Sequence, residues 1–370
     1  MKVSSFLGFA QEKIQFILNN VELSEQSKEL AMIFDLVPFR RFISMPASTG
    51  RPRSCRVSIL KAFIAKAAMK ITENKKLREI LSGNEELHKI CGWSEKEDIP
   101  SLPTFSRVFN EFAEMRVAEN IHEYLVTLAV KDNIIGHISR DATAVPARER
   151  FKKTKKEKVP VKRGRPKKRT PPKPKKTRRI VMQTTQKLDE MINDLPVLCD
   201  SGNKINSQGN PDYWIGYKLH TDWSDEGIPV SYIITSASVH DSQVSIPLTL
   251  MSTKRATYLY ELMDAGYDVP EIAEISSSNG HVSVIMPNNR RCKIKRELDP
   301  AKKKRYRIRS TAERGFAALK DDFGIEKSRF RGHSKIAAHI GFSMIVLTIR
   351  KIFLHEDRFG NIIKMLNRVA

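Results

Sequence analysis

Residues 306–320, YRIRSTAERGFAALK, carry the most informative pattern in this 370-residue chain. At about 100° per residue, Tyr306, Arg309, Glu313 and Lys320 fall within about 60° of arc on a helix. Apolar side chains occupy the adjacent arc. The stretch therefore predicts a helix that buries one stripe and presents Tyr, Arg, Glu and Lys along another. A surface helix with an Arg309–Glu313 ion pair would also explain the charges.

Two aspartates add to this pattern, because each follows a strand-like run. Asp141 comes after Ile134–Ser139, and Asp264 comes after Tyr258–Met263. Strand ends are where α/β sheets assemble their sites, so we expect both side chains at one edge of a sheet. Taken singly, each aspartate is also explained as a helix cap or a turn residue.

Asp141, Asp264 and Glu313 together would form a carboxylate triad. Three converging carboxylates repel one another unless a cation lies among them, and oxygen-only ligands select Mg²⁺ or Mn²⁺. Two such ions can activate a nucleophilic oxygen and stabilise the leaving oxygen of a phosphodiester. Arg309 and Lys320 would then hold DNA phosphates beside the metal ions.

The net charge of +23 independently points to a polyanionic partner. Residues 147–180 contain eighteen Lys or Arg and two acidic residues, so they carry +16 of that charge. This Pro- and Lys-rich insertion is predicted to be disordered. At its centre Arg163, Arg165, Lys167 and Lys168 surround a Gly and a Pro, which resembles the minor-groove-binding core of an AT-hook. The alternative is a generic polycation that binds any phosphate backbone.

Composition excludes several other classes of protein. No uninterrupted run approaches the ~18 apolar residues of a membrane span, so we expect no membrane partner. The N-terminus lacks the features of an export signal, which favours the cytoplasm. The four cysteines are far apart and form no CxxC, so neither a disulfide framework nor a structural zinc site is indicated.

The chain reads as two parts of an α/β protein. Residues 1–130 show helical spacing, including a helix from Thr104 to Tyr124 with Thr104 as its N-cap. They predict either a DNA-binding domain of helix-turn-helix type or a structural or dimerising domain. Residues 131–355 alternate strands and helices in an order typical of a mixed sheet flanked by helices, and 356–370 form a tail.

Two further aspartates are expected at helix starts in the second part of the chain. Asp241 precedes a predicted helix that extends to Met251, and Asp268 precedes another near Pro270. We favour helix capping for both residues. The alternatives are a supporting role behind the metal ligands for Asp241, together with His240, and direct assistance to metal binding for Asp268.

The ordered set of motifs resembles a known family. Tyr306-x2-Arg309-x3-Glu313-x6-Lys320 resembles the Tyr-Arg-Glu-Lys signature of bacterial insertion-sequence DDE transposases. Arg140-Asp-Ala-Thr143 and Asp264-Ala-Gly-Tyr-Asp268 resemble that family's first and second Asp motifs. The resemblance implies an RNase H-like core in which Asp141, Asp264 and Glu313 bind two Mg²⁺ or Mn²⁺ ions. It also implies that Tyr306, Arg309 and Lys320 hold transposon-end DNA.

The expected function is that of a transposase. It would bind double-stranded DNA at terminal inverted repeats, cleave the ends, and join them to target DNA. Pairing two ends implies a homodimer during the reaction, in the bacterial cytoplasm at the nucleoid. The alternatives are a nuclease that cuts without strand transfer and a relative with a decayed catalytic core.

Overall fold

A computed structural model describes residues 23–43, 54–130, 133–151, 177–205, 208–290, 292–355 and 357–360. The N-terminal part is helical, and its helices are α1 (Glu25–Leu36), α2 (Phe39–Phe42), α3 (Arg56–Ala68), α4 (Asn74–Gly83), α5 (Glu85–Cys91), α6 (Leu102–Glu114) and α7 (Val117–Val130). The remaining helices are α8 (Arg179–Gln183), α9 (Leu188–Asp194), α10 (Ser242–Arg255), α11 (Pro270–Ser278), α12 (Pro300–Tyr306), α13 (Ser310–Asp321) and α14 (His333–Leu354).

The strands form one mixed sheet, which confirms the predicted α/β class. They are β1 (Ile134–Pro146), β2 (Asp200–Ile205), β3 (Pro211–Trp223), β4 (Pro229–Ser236), β5 (Thr257–Met263) and β6 (Val282–Ile285). Strand β1 is central, lying between antiparallel β3 and parallel β5. Beyond these, β6 extends the sheet parallel to β5, while β2 and β4 both pair antiparallel with β3.

Helices cover both faces of this sheet. Helix α13 packs on β1 and β3, where Phe316 meets Trp223 edge to face with 5.4 Å between ring centroids. Helix α10 packs against β3 and β4, and its Ser245 and Thr249 contact Arg140 of β1. Since successive strand residues point to opposite faces, Arg140 faces α10 while Asp141 faces α13.

The helical part and the sheet share one hydrophobic core, and α14 joins them. This helix packs on α3, α6 and α7 as well as on β4. At Gly341 the packing is so close that a Cβ atom would lie 2.8 Å from Ala118 of α7 and 2.9 Å from the Tyr232 hydroxyl of β4. The division at residue 130 into two domains therefore remains a prediction, because the described core runs continuously across that boundary.

Helix α14 is relevant to the expectation that the protein has no membrane partner. By length and composition it could cross a membrane, with a mean hydropathy of 1.6. Its sequence has no uninterrupted apolar run of that length, because His, Ser and Thr interrupt it. Its most apolar window is 83% buried inside the protein, as expected for a core helix.

Several predicted element boundaries are wrong. The helix expected from Thr104 to Tyr124 is two helices, because Arg116 takes a left-handed φ of 54° between α6 and α7. Helix α6 begins at Leu102 after Ser101, so Thr104 lies inside it and is not its N-cap. Sequence patterns also missed α8, α9 and β2, which have only five to seven residues each and are too short to show a clear periodicity.

Candidate active site

The register between β1 and β5 brings the two predicted catalytic aspartates together. The parallel ladder pairs Ile138 with Glu261 and Ser139 with Leu262. Two residues further along, the same register sets Asp141 opposite Asp264, whose backbone remains extended at φ −77° and ψ 179°. Neighbouring strands lie about 4.8 Å apart, so both carboxylates belong to one small region on the α13 face of the sheet.

Asp141 does not end its strand, contrary to the sequence-based expectation. Strand β1 continues to Pro146 because β3 pairs with it over that whole length, and Asp141 itself lies opposite Thr221. What ends near Asp141 is the pairing with β5, whose last described pair is Ser139–Leu262. Asp264 does follow the last residue of β5, as predicted, and its side chain accepts a hydrogen bond from the Gly266 N–H.

The third carboxylate reaches this region through an arginine. The Nη1 atom of Arg309 donates to Oδ2 of Asp141 at 2.9 Å. The Nη2 atom of the same guanidinium donates to Oε1 of Glu313 at 2.8 Å. The Arg309–Glu313 ion pair of the surface-helix alternative is therefore present, and its arginine also binds Asp141. The guanidinium is the cation between these two carboxylates.

The segment that carries Arg309 is not one regular helix from Tyr306 onward. Helix α12 ends at Tyr306, a 3₁₀ turn spans Arg307–Arg309, and α13 starts at Ser310. A 3₁₀ turn is tighter than an α-helix, which alters the predicted arc of side chains. The turn lies against β1, where the Ser139 hydroxyl reaches the Ile308 carbonyl at 3.5 Å.

The Asp141 carboxyl is electrostatically perturbed. Burial raises its pKa to about 6 from an ordinary value of 3.8, and the nearby charge of Asp264 acts in the same direction. Arg309 and the Ala142 N–H both favour the ionised form but do not outweigh burial. Burial and a second carboxylate both disfavour the ionised form of an aspartate, and a nearby cation stabilises that form.

Tyr306 and Lys320 differ in their relation to the carboxylates. The Arg309 guanidinium lies over the Tyr306 ring, 5.7 Å from its centroid. Burial raises the pKa of the Tyr306 hydroxyl, with further contributions from Asp264 and Asp141. Lys320 instead pairs with Glu326 at 2.6 Å, and it lies two helical turns beyond Glu313.

The central basic residues of the insertion, Arg163, Arg165, Lys167 and Lys168, lie outside the described residues. Both described ends of the insertion contact the folded body. Glu149 accepts hydrogen bonds from the Tyr217 hydroxyl at 3.0 Å and from the Gly332 N–H at 2.7 Å. At the other end Ile180, the last residue of the predicted insertion, is buried.

The donor set has the chemistry of a hard-metal site, but its present arrangement is that of an ion-pair network. Asp141, Asp264 and Glu313 supply only carboxylate oxygens, the ligands that Mg²⁺ and Mn²⁺ prefer. Among the described residues, no group of three or more His, Cys, Asp or Glu side chains is arranged to hold a metal ion. The residues fit such an ion chemically once Arg309 releases the Asp141 and Glu313 oxygens.

Neither of the two aspartates that were predicted to cap helices makes a capping hydrogen bond. Asp241 occupies the N-cap position of α10 without a capping hydrogen bond, since its side chain accepts from Lys218 Nζ at 3.0 Å. Asp268 likewise does not cap α11, because it accepts from the Asn288 N–H and from Arg296. In both cases a distant partner outcompetes the local cap, which sequence spacing cannot reveal.

Sequence reasoning also missed two buried polar groups near the aspartates. Arg140, which precedes Asp141, is fully buried and binds two carboxylates. The hydroxyl of Tyr267, within the second Asp motif, is buried without a hydrogen-bond partner among the described residues. Burial raises the pKa of Tyr267 well above its ordinary value, with Asp241, Asp141 and Asp264 adding to the effect. The only signal for either residue was its place in a motif.

Comparison with known protein families gives a match over the sheet-forming part of the chain. The family described as "Transposase DDE domain" matches residues 135–349, which is more than half of the chain. The matched region includes Asp141, Asp264 and Glu313. Comparisons with curated proteins and with solved structures gave no significant match. On the family match, the chain belongs to the DDE-domain transposases.

Proposed function

We propose that this transposase binds the terminal inverted repeats of an insertion sequence, cleaves the DNA ends and joins them to target DNA. The observation that carries the proposal is the convergence of Asp141 and Asp264 across β1 and β5, with Glu313 linked to Asp141 by Arg309. The mixed sheet with central β1 supports an RNase H-like core. Homologous proteins of this family generally use divalent metals and act on DNA.

Asp141, Asp264 and Glu313 would together hold two Mg²⁺ or Mn²⁺ ions. When bound, such ions supply activation of the attacking oxygen and stabilisation of the leaving oxygen in a phosphodiester displacement. The chain itself contributes the position of the ligands. Strand β1 carries Asp141, Asp264 directly follows β5, and α13 carries Glu313.

The basic residues beside the carboxylates would hold the DNA backbone. Arg309 has a fork geometry that suits two phosphate oxygens as well as two carboxylates. When the carboxylates take up metal ions, this guanidinium is available to a phosphate, and Tyr306 would orient it. Lys320 would have to exchange Glu326 for phosphate. The exposed basic side chains of α12, residues 302–305, would extend the same surface.

The remaining assignments complete this proposal. The helical part, residues 1–130, would contribute to recognition of the repeats, and the insertion would bind DNA alongside it. A homodimer would pair the two ends during the reaction, in the bacterial cytoplasm at the nucleoid. The rival functions are a nuclease without strand transfer and a relative that retains DNA binding but has lost catalysis.

Incubating pre-cut terminal repeats with a target plasmid and Mg²⁺ separates these functions. A transposase joins the 3′ ends to the plasmid, giving a product that carries both DNAs. A nuclease cuts intact ends but leaves the pre-cut ends unjoined, and a decayed relative does neither. Inverted repeats in the DNA that flanks the gene provide the substrate, and their absence on both sides would contradict the proposal.

Deleting residues 152–176 tests the role of the insertion. The deletion leaves the described residue Arg178, which pairs with Glu271, in place. It removes fourteen Lys or Arg and one Glu. We expect weaker DNA binding. The slope of log K against log salt concentration should become shallower by about 0.9 for each lost phosphate contact. Fluorescence anisotropy at several salt concentrations measures both. An unchanged slope would rule out a DNA-binding role for the insertion.

A further inference from the structure

Arg140 is the centre of a fully buried polar cluster on the opposite face of the sheet from Asp141. Its Nε and Nη2 donate to the two oxygens of Asp222 at 2.7 and 2.8 Å. Its Nη1 donates to the hydroxyls of Ser245 and Thr249 at 2.7 and 3.0 Å. Nη2 also contacts Glu261 at 3.2 Å. All three charged side chains have no solvent exposure.

The two carboxylates in this cluster are otherwise satisfied by hydroxyl groups. Glu261 accepts hydrogen bonds from Thr249 and Tyr258 at 2.8 Å and from Ser276 at 2.5 Å. Asp222 accepts one from Ser252 at 2.7 Å. Burial disfavours the charge of Glu261, but the Arg140 guanidinium and the hydroxyl donors outweigh burial and lower the pKa of Glu261, so this carboxylate is held ionised.

Such a cluster is costly, because each buried ion loses several kcal/mol of hydration. Apolar side chains of similar volume often give equal or greater stability, so stability alone does not account for it. The placement of its members suggests another role. Arg140 lies on β1, Asp222 on β3 and Glu261 on β5, which are three adjacent strands.

The cluster lies where the described pairing of β1 with β5 ends. Arg140 immediately precedes Asp141, and Glu261 lies three residues before Asp264. The described β1–β5 ladder ends at Ser139 and Leu262, so both aspartates lie just beyond its last pair. A slip of one residue would turn Asp141 to the other face of the sheet. Hydrogen bonds of the ladder do not by themselves hold the strands together at the aspartates.

We propose that Arg140, Asp222 and Glu261 form a positioning clasp that fixes β1 against β5 and so sets Asp141 opposite Asp264. The inference rests on the proposed function, since it assigns the clasp to the metal-binding geometry of that site. The guanidinium reaches both neighbouring strands from one side chain, which a lysine cannot do with the same fixed fork.

Arg140→Lys tests the clasp, because it keeps the charge and removes the fork. We expect the variant to fold and to bind DNA with nearly unchanged affinity. Its affinity for Mn²⁺, measured by isothermal titration calorimetry without DNA, should fall about tenfold or more, as for other groups that orient metal ligands. The rate of end cleavage at saturating DNA should fall with it, while KM for DNA should change little.

Arg350→Lys is the matched control. Arg350 also binds a carboxylate through two guanidinium nitrogens, which donate to the oxygens of Glu29 at 2.6 and 3.3 Å. This pair joins α14 to α1 in the helical part, away from the aspartates. This variant should lose stability without losing Mn²⁺ affinity. If Arg140→Lys lowers stability as Arg350→Lys does and leaves Mn²⁺ affinity at the wild-type value, the clasp has only a structural role and the proposal is wrong.

A second variant keeps the test decisive if Arg140→Lys fails to fold. Glu261→Gln keeps the shape of the side chain and an oxygen for Thr249 and Tyr258, but it removes the charge that holds Arg140 to β5. We expect a folded protein with reduced Mn²⁺ affinity and slower cleavage, and wild-type values for both would overturn the clasp. Wild-type protein that neither binds Mn²⁺ nor cleaves DNA would instead refute the proposed function, so the two failures are distinguishable.

Discussion

At the scale of single residues, the site depends on competition between burial and charge at Asp141. Burial disfavours its carboxylate, and Arg309 compensates only in part. The types and spacing of Asp141, Asp264 and Glu313 could be predicted from the sequence, because the residues lie in recognisable motifs. The contacts of Arg140 could not, since its partners Asp222 and Glu261 are 82 and 121 residues away.

The raised pKa of Asp141 predicts a pH dependence of stability. Because the carboxyl binds its proton more tightly in the folded state, this group's stabilising contribution is complete below about pH 4 and is lost as pH rises through about 6. The loss is on the order of 3 kcal/mol for a shift of about two pH units. Asp141→Asn should remove this loss. Its stability relative to wild type should therefore rise between pH 4 and 6 and then level off.

Urea denaturation of both proteins at intervals from pH 4 to 8, without divalent cations, measures this difference. Lys320→Met is a suitable control, because Lys320 pairs with Glu326 and not with Asp141. A stability difference between Asp141→Asn and wild type that is the same at pH 4 and pH 8 would show that the pKa of Asp141 is not raised.

At the scale of elements, α13 positions Glu313 by lying close on the sheet. Its apolar stripe was predictable from helical periodicity, and Ala312, Phe316 and Leu319 are buried as expected. Helical periodicity did not indicate the 3₁₀ turn ahead of α13, which contacts β1 between Ile308 and Ser139. The prediction that a strand ends at Asp141 was wrong because β1 continues to Pro146 in its pairing with β3, which is distant in sequence.

Gly315→Ala tests how closely α13 must approach the sheet. A Cβ atom at Gly315 would lie 2.5 Å from the Trp223 ring, which is closer than such atoms normally come. The added methyl group should cost about 1–3 kcal/mol through overpacking, which exceeds the gain of up to about 1 kcal/mol in helix propensity. End cleavage should also slow, because the displaced helix carries Glu313.

Gly83→Ala provides the comparison for this change. Gly83 also lies in a helix, but nothing lies within 4 Å of its added Cβ atom. This variant should keep or gain stability in urea denaturation. If Gly315→Ala is as stable as Gly83→Ala, then α13 does not rest on Trp223 as closely as described.

At the scale of the whole molecule, α14 joins the helical part to the sheet. The sequence suggested two separate domains because its periodicity changes near residue 130. Periodicity reports which local structure forms but not which elements share a core. The described core runs from Leu23 to Ile349, so the helical part should not unfold independently of the sheet.

Ile345→Ala tests this cooperativity. Ile345 is fully buried in the middle of α14, and its truncation should destabilise the protein by about 2–5 kcal/mol. Hydrogen exchange at increasing urea should show α3 and β5 losing protection together, at a lower concentration than in wild type. Leu354→Ala, on the same helix but 68% exposed, should change little. Loss of protection in α3 alone would show that the two parts fold separately.

The proposed function requires that Asp141, Asp264 and Glu313 perform the DNA chemistry. Its most direct test is Mg²⁺-dependent cleavage of the element's terminal repeats by Asp141→Asn, Asp264→Asn and Glu313→Gln, each assayed beside wild type after DNA binding has been verified. We expect each single change to abolish cleavage while repeat binding persists. Cleavage at the wild-type rate by any one of the three variants would contradict the assignment of that residue and of the triad.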